Sequence, residues 1–387
     1  MASITAKALD TLEATFAASG REEKVAIIGA GNWGSAAAMI IGRNCAKLDI
    51  FDDNVTVWCL EEKVDGGNLT DVINSTHVNV KYLPDHKLPE NVRAEPDLVK
   101  SVAGATLLVF VLPHQFLART CKTLKGHLEE NVKAISLIKG IDFDDSGPQL
   151  MTNVIKRELG IEACALSGAN IANEIAAGKF CESTIGYESK ETGALFFALF
   201  NEPNFRISLV HGVAAPQVFG AIKNIVALGA GFCDALEMGN NTKAALMRIG
   251  LIEMYRFATQ YFQGVDTTTM VESCGMADLI TTCMGGRNRR VAEAYGRSRL
   301  EKGDDHRSWE DLEAEMLNGQ KLQGTGAAKE VFQILTRDNL LDKFPFLVTL
   351  YRIAFEGKPI EDVVHIPEEH FLPSSLTAKA AATVASA

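Results

Sequence analysis

A single lysine interrupts one of the most apolar stretches of this 387-residue sequence. Lys223 stands in VFGAIKNIVALGAGFC, and no other charged residue falls between Pro216 and Asp234. An ammonium in such a segment must shed water, which costs free energy and lowers its pKa. A lysine poised in this way suits proton transfer at a carbonyl or hydroxyl oxygen. The alternative is a side chain that snorkels out at the edge of a helix. Lys139 is a second interruption, closing the apolar run ISLIKG. Ligands of open α/β sheets gather beyond the carboxyl ends of strands, so Lys139 either faces a ligand there or is a solvated strand-end lysine.

A third feature is CGMADLITTCMGGRNRR. Asp278 and Thr282 are spaced i, i+4 and share a helix face. Gly285 and Gly286 then break the chain before RNRRVAEAYGR, which reads as a new helix. Arg287, Arg289 and Arg290 crowd the start of that helix, where the macrodipole disfavours cations. A bound anion would remove the conflict. A phosphate could accept a bidentate pair from Arg287 and further bonds from Thr282, Asn288 and backbone amides. Simple solvation of these guanidinium groups is the alternative, and it suits Arg289 or Arg290 better than all three together.

Near the N-terminus, the β-branched run KVAIIG leads into GAGNWG at Gly29–Gly34, followed by small residues through Ala38. The spacing GxGxxG, directly after a strand and opening a helix, is the context of a dinucleotide-binding turn. Gly29 permits the tight turn, Gly31 lets backbone amides approach a diphosphate, and Gly34 lets the helix lie close to the strand. The end of the second strand, VTVWCLEE, carries Glu61 and Glu62 and no following Arg. A 2′-phosphate would meet repulsion there, so NAD is expected over NADP. The spacing leaves open which glutamate, if either, meets the ribose.

The elements around these residues alternate. Uninterrupted apolar runs at Val55–Trp58, Thr106–Leu112 and Ala134–Ile138 read as strands buried on both faces, and Ser183–Tyr187 and Phe205–Val210 read as two further short strands. Charged segments at helical period lie between them, which predicts an α/β Rossmann domain with a doubly wound sheet. After His211 long helical segments take over, Pro216–Leu236, Thr242–Phe262, Gly275–Met284 and from Arg289 onward, predicting an all-helical second domain. The expected division is an N-terminal extension over 1–22, a dinucleotide-binding domain over 23–210, a helical domain over 211–372 and a flexible tail over 373–387. Glu301–Leu317 is heavily charged and reads as a solvated loop and surface helix.

Composition narrows the classes. The formal net charge of −11 argues against nucleic-acid binding, which needs a basic face. No apolar run is expected to reach the roughly 18 residues of a membrane span, and the N-terminus reads as neither a signal nor a transit peptide. The 8 Cys include no CxxC and the 8 His no HExxH, so no metal is expected and the thiols suit a reducing, cytoplasmic compartment.

Taken together, GAGNWGSA, VLPHQF, SLIKG, GANIANE, AIKNIVALGAGFCDAL, ESCGMADLITTC, GGRNRRVAEA and LNGQKLQG closely resemble the eukaryotic cytosolic NAD-dependent glycerol-3-phosphate dehydrogenases. The likeness runs from about residue 24 to 370 in the same order. It implies a homodimer that interconverts dihydroxyacetone phosphate and sn-glycerol 3-phosphate with NAD. It implies Lys223 as the general acid/base, Asp278 and Asn224 as groups that orient it, and Lys139 and Asn170 beside the reacting carbons. Thr282, Arg287 and Asn288 would grip the phosphate. Toward the cofactor it implies Asn32, Trp33 and the three glycines of the turn, with Leu60, Phe116, Lys139 and Arg287. Lys321 and Gln323 would come from a loop over the dinucleotide. Relatives can carry an aromatic near the adenine where this chain has Leu60. A hydroxyacid or phosphogluconate-type dehydrogenase combines similar domains, but the GGRNR element argues against it. A non-catalytic NAD sensor would have no need of a desolvated Lys223.

Overall fold

The computed structural model describes residues 22–144, 147–317 and 321–367. The helical extension expected before residue 22 and the Ala-rich tail lie outside the described residues. Two compact units emerge, one of the chain up to Gly220 with Ala258–Asp278, the other of Ala221–Phe257 and the residues from Leu279 onward.

The first unit is built on an eight-stranded sheet. Its strands are β1 (Glu23–Ile28), β2 (Phe51–Trp58), β3 (Val92–Glu95), β4 (Leu107–Phe110), β5 (Lys133–Ser136), β6 (Ala163–Ser167), β7 (Cys181–Tyr187) and β8 (Phe205–His211). Their spatial order is β8-β7-β6-β5-β4-β1-β2-β3. Read from β3, this is the dinucleotide-fold order 3-2-1-4-5-6 with two strands added. Pairings from β3 across to β6 are parallel. The β6–β7 pair is antiparallel and β8 follows β7 in parallel, so the sheet is mixed at that edge.

Alternate residues of β1 feed two cores. Val25 and Ile27 pack with helix α1 (Asn32–Cys45) and the helix Lys190–Phe200 on one face. Ala26 and Ile28 pack with the helices Leu117–Leu124 and Met151–Leu159 on the other. A strand covered on both faces has no polar side to show, which is why these runs are uninterrupted.

The chain then becomes helical: α2 (Ala214–Ala235), α3 (Gly239–Tyr261), α4 (Asp278–Gly285), α5 (Arg287–Lys302), α6 (Gln323–Arg337) and α7 (Pro345–Phe355). Helix α2 corrects one expectation. By length and composition it is apolar enough to cross a membrane, but 94% of that stretch is buried in the protein. It is a core helix, and Lys223 is its interior charge. In the second unit the carboxylate of Glu253 on α3 accepts from the amides of Phe346 and Leu347, each at 2.9 Å. It thereby satisfies first-turn donors of α7. The charged stretch after Glu301 is less solvated than its composition suggests. Trp309 and Leu312 of the helix Trp309–Met316 are buried, and the Trp309 indole stacks on Tyr295 at 4.0 Å.

Candidate active site

The turn from β1 to α1 depends on glycine in three different ways. Gly29 has φ +125°, and a Cβ added there would stand 2.6 Å from the Val111 carbonyl oxygen. A Cβ on Gly34 would stand 2.1 Å from the Gly29 carbonyl oxygen, so helix and strand can touch only through glycine. Gly31, which heads α1, has the ordinary φ of −67°, and a Cβ there would meet nothing within 4 Å. The helix start beside that space has no capping side chain and no acid in its first turn. First-turn amides lack intrahelical partners and carry the positive end of the dipole, so the turn fits a diphosphate.

The side chains of Asn32 and Trp33 face protein. Asn32 Nδ2 donates to Tyr82 O at 2.7 Å and to Asn173 Oδ1 at 2.8 Å. Trp33 Nε1 donates to Asn170 Oδ1 at 3.2 Å. Both residues also bring a first-turn main-chain N–H to the cradle. Leu60, just past β2, and Phe116, in the turn His114–Phe116 past β4, are 66% and 51% exposed. Both leave apolar surface on which a planar ring can lie. Glu61 accepts from the amide and hydroxyl of Thr70 at 3.2 and 2.5 Å, and these bonds hold its carboxyl below the usual range. Glu62 accepts from the Tyr82 hydroxyl at 2.7 Å and pairs with Lys81, which also lowers its pKa.

Beyond the carboxyl ends of β5 and β6 lies a cluster of polar side chains. Lys139 Nζ donates to Gly168 O at 2.9 Å and lies 3.3 Å from Asp278 Oδ2. The Asp278 side chain is 3% exposed and that of Lys139 22%, so Lys139 is not a solvated strand-end lysine. Asn170, also buried, accepts from Trp33 and donates to Ser183 Oγ at 2.9 Å. Asp278 is placed by a π-helical turn at Ser273–Ala277 just before α4. Ser273 Oγ donates to Glu182 O at 2.7 Å and accepts from the Ala169 amide at 3.2 Å. The sequence reading missed Ser183 and Ser273. Small hydroxyls inside buried strands and turns carry no periodic signal.

In the second unit Lys223 is 4% exposed, which removes the snorkelling alternative, and its Nζ donates to Thr282 Oγ1 at 2.9 Å. Thr282, Asn224 and Asn288 are buried with it. Asn288 Nδ2 donates to Asn224 Oδ1 at 3.0 Å, and Asn288 Oδ1 accepts from the Gly324 amide at 2.9 Å. Arg287 opens α5 after Gly286, again with no capping side chain and no first-turn acid. Burial, reinforced by the nearby Arg290, lowers the pKa of its guanidinium. Arg289 is taken up by ion pairs, with Asp234 and with Glu293 Oε2 at 3.0 Å, rather than simply solvated. Lys321 is exposed and paired with Glu313 Oε1 at 2.5 Å, and Gln323 is exposed at the start of α6. Among the described residues no three His, Cys, Asp or Glu are grouped to hold a metal.

Comparison with known proteins shows the family. Residues 24–193 match the model of the NAD-dependent glycerol-3-phosphate dehydrogenase N-terminus, and residues 212–365 match that of the C-terminus. The chain belongs to the NAD-dependent glycerol-3-phosphate dehydrogenase family. It is 51% identical over 349 residues to the Homo sapiens protein named glycerol-3-phosphate dehydrogenase [NAD(+)], cytoplasmic, covering 90% of this chain and 98% of that one. The solved glycerol-3-phosphate dehydrogenase of Saccharomyces cerevisiae superposes with a TM-score of 0.83 at 39% identity, covering 91% of this chain and 100% of that one. DsGPDH of Dunaliella salina superposes with the same score at 42% identity over 89% of this chain. That chain is longer, and the match covers 60% of it. Family membership bears out the resemblance read from the motifs, the Rossmann domain with its helical partner and the expectation of NAD.

Proposed function

We propose that the chain interconverts dihydroxyacetone phosphate and sn-glycerol 3-phosphate in the cytoplasm, as a homodimer. Bound NADH would supply a hydride to C2 in the reducing direction. Lys223 would give a proton to the C2 oxygen as that bond forms and take it back in the reverse reaction. Lys139 and Asn170 would stand beside the reacting carbons, and Asp278 and Asn224 would orient Lys223, Asp278 also pairing with Lys139 and Asn224 also accepting from Asn288. Thr282, Arg287 and Asn288 would bind the phosphate through hydroxyl, guanidinium and amide. The α1 turn, Leu60 and Phe116 would hold the dinucleotide, and Lys321 and Gln323 would cover it.

One observation supports this reading above others: a lysine 4% exposed within an apolar helix, its ammonium on a buried threonine hydroxyl. Burial of that kind is costly and is found where proton transfer needs it. Loss of NADH absorbance on adding dihydroxyacetone phosphate tests the activity. The Lys223→Ala variant should bind NADH as wild type does and lose about 10²–10⁴ in kcat. Activity within a few-fold of wild type would remove Lys223 from the chemistry.

A further inference from the structure

The segment Asn79–Tyr82 touches both ends of the dinucleotide cradle. At one end, Asn79 is 1% exposed, and its Nδ2 donates to Ala30 O at 2.8 Å and to Ser35 Oγ at 2.9 Å. Ala30 is the residue between Gly29 and Gly31, so this buried amide braces the turn from behind. Tyr82 O accepts from Asn32 at the start of α1, and the Tyr82 amide donates to Asn79 Oδ1 at 3.2 Å. At the other end, the Tyr82 hydroxyl donates to Glu62 just past β2. In dinucleotide folds the adenosine ribose lies between these two places, the diphosphate turn and the end of the second strand. Lys81, between Asn79 and Tyr82, is thereby held on the span along which that ribose would lie. Its ammonium is engaged by Glu62, with the lysine side chain 41% exposed and the glutamate 28%. Lys63 donates to Asn68 Oδ1 at 2.7 Å.

We propose that Glu62 sets cofactor choice by restraining Lys81 rather than by its own charge. The carboxylate engages the ammonium that a 2′-phosphate would otherwise take as its counter-ion. A 2′-phosphate must then displace Glu62 from Lys81, whereas a 2′-hydroxyl leaves the pair intact. The inference rests on the dinucleotide reading of the α1 turn. It differs from a simple repulsion model in one respect: a cation suited to the 2′-phosphate is already present and is withheld.

Calorimetric titration of the full chain with 5′-AMP and with adenosine 2′,5′-bisphosphate tests it without turnover. Glu62→Gln should shift the ratio of the two affinities toward the bisphosphate by about tenfold, the scale of one charge-assisted hydrogen bond at a half-exposed site. The double variant Glu62→Gln/Lys81→Met should return the ratio to near the wild-type value. No shift in the single variant would overturn the proposal, as would a shift that survives in the double variant, because repulsion by Glu62 alone would then explain it. Loss of both ligands by Glu62→Gln would also count against it, making the glutamate a support of the cradle. Reduction of dihydroxyacetone phosphate by the wild-type protein with NADH is measured separately, so failure of the proposed reaction is distinguishable from failure of this restraint.

Discussion

Two helix starts in this molecule have nearly the same backbone and different equipment. Gly31 heads α1 with φ −67°, and Gly286 heads α5 with φ −66°. Neither helix has a capping side chain or an acid in its first turn. The glycines, however, face different things. A Cβ on Gly31 would meet open space, while one on Gly286 would stand 2.4 Å from the Thr282 carbonyl oxygen. At α1 the missing side chain leaves room for a ligand against bare main chain. At α5 it lets the preceding helix close in, and the groups proposed to meet the phosphate are side chains: Arg287, Asn288 and Thr282. The contrast suits two kinds of phosphate. An internal diphosphate can be held by amides and a dipole alone, whereas a terminal dianion calls for a guanidinium fork.

The largest expected effect separates the glycines within α1. Gly34→Ala places a methyl against backbone that cannot yield, at or beyond the roughly 1–3 kcal/mol typical of overpacking. Thermal melting should show a sharply destabilised protein. Gly31→Val should melt near wild type, because its side chain enters open space, yet weaken NADH by about 10–100-fold through lost amide contacts. If Gly31→Val kept full affinity, the diphosphate would not lie on this turn. The smallest effect concerns α5. Arg289 pairs with Asp234 and Glu293 in a partly exposed network, so Arg289→Ala should cost about 1 kcal/mol of stability or less. It should leave the KM for dihydroxyacetone phosphate unchanged. A raised KM would mean that the anion site extends past Arg287.

Both helix starts were legible in the sequence, for opposite reasons. The α1 turn announced itself by spacing, and the α5 start by arginines placed where a dipole repels them. Lys223 was legible because a charge among apolar residues is conspicuous. Sheet order was less so. Strand β6 reads ACALS, five buried residues with no β-branched member, so its interior place has no compositional mark. Strand β3, VRAE, lies at the sheet edge, and its short alternation gives little period to detect. Asn79, Ser183 and Ser273 escaped notice because their roles are set by long-range partners, which one-dimensional patterns do not encode. The pairing of Glu62 with Lys81 was hidden in the same way.

The most direct test of the proposed function compares Arg287→Ala with wild type on dihydroxyacetone phosphate and on unphosphorylated dihydroxyacetone, both with saturating NADH. A desolvated, bidentate guanidinium on the phosphate predicts a loss of about 2–5 kcal/mol in kcat/KM for the phosphorylated substrate. Part of that loss should fall on kcat, since binding energy at the phosphate positions the reacting carbonyl. The slow rate on dihydroxyacetone should barely change, and Arg287→Lys should restore only part of the activity. An equal loss on both substrates would contradict the assignment and make Arg287 a support of the fold or of the cofactor.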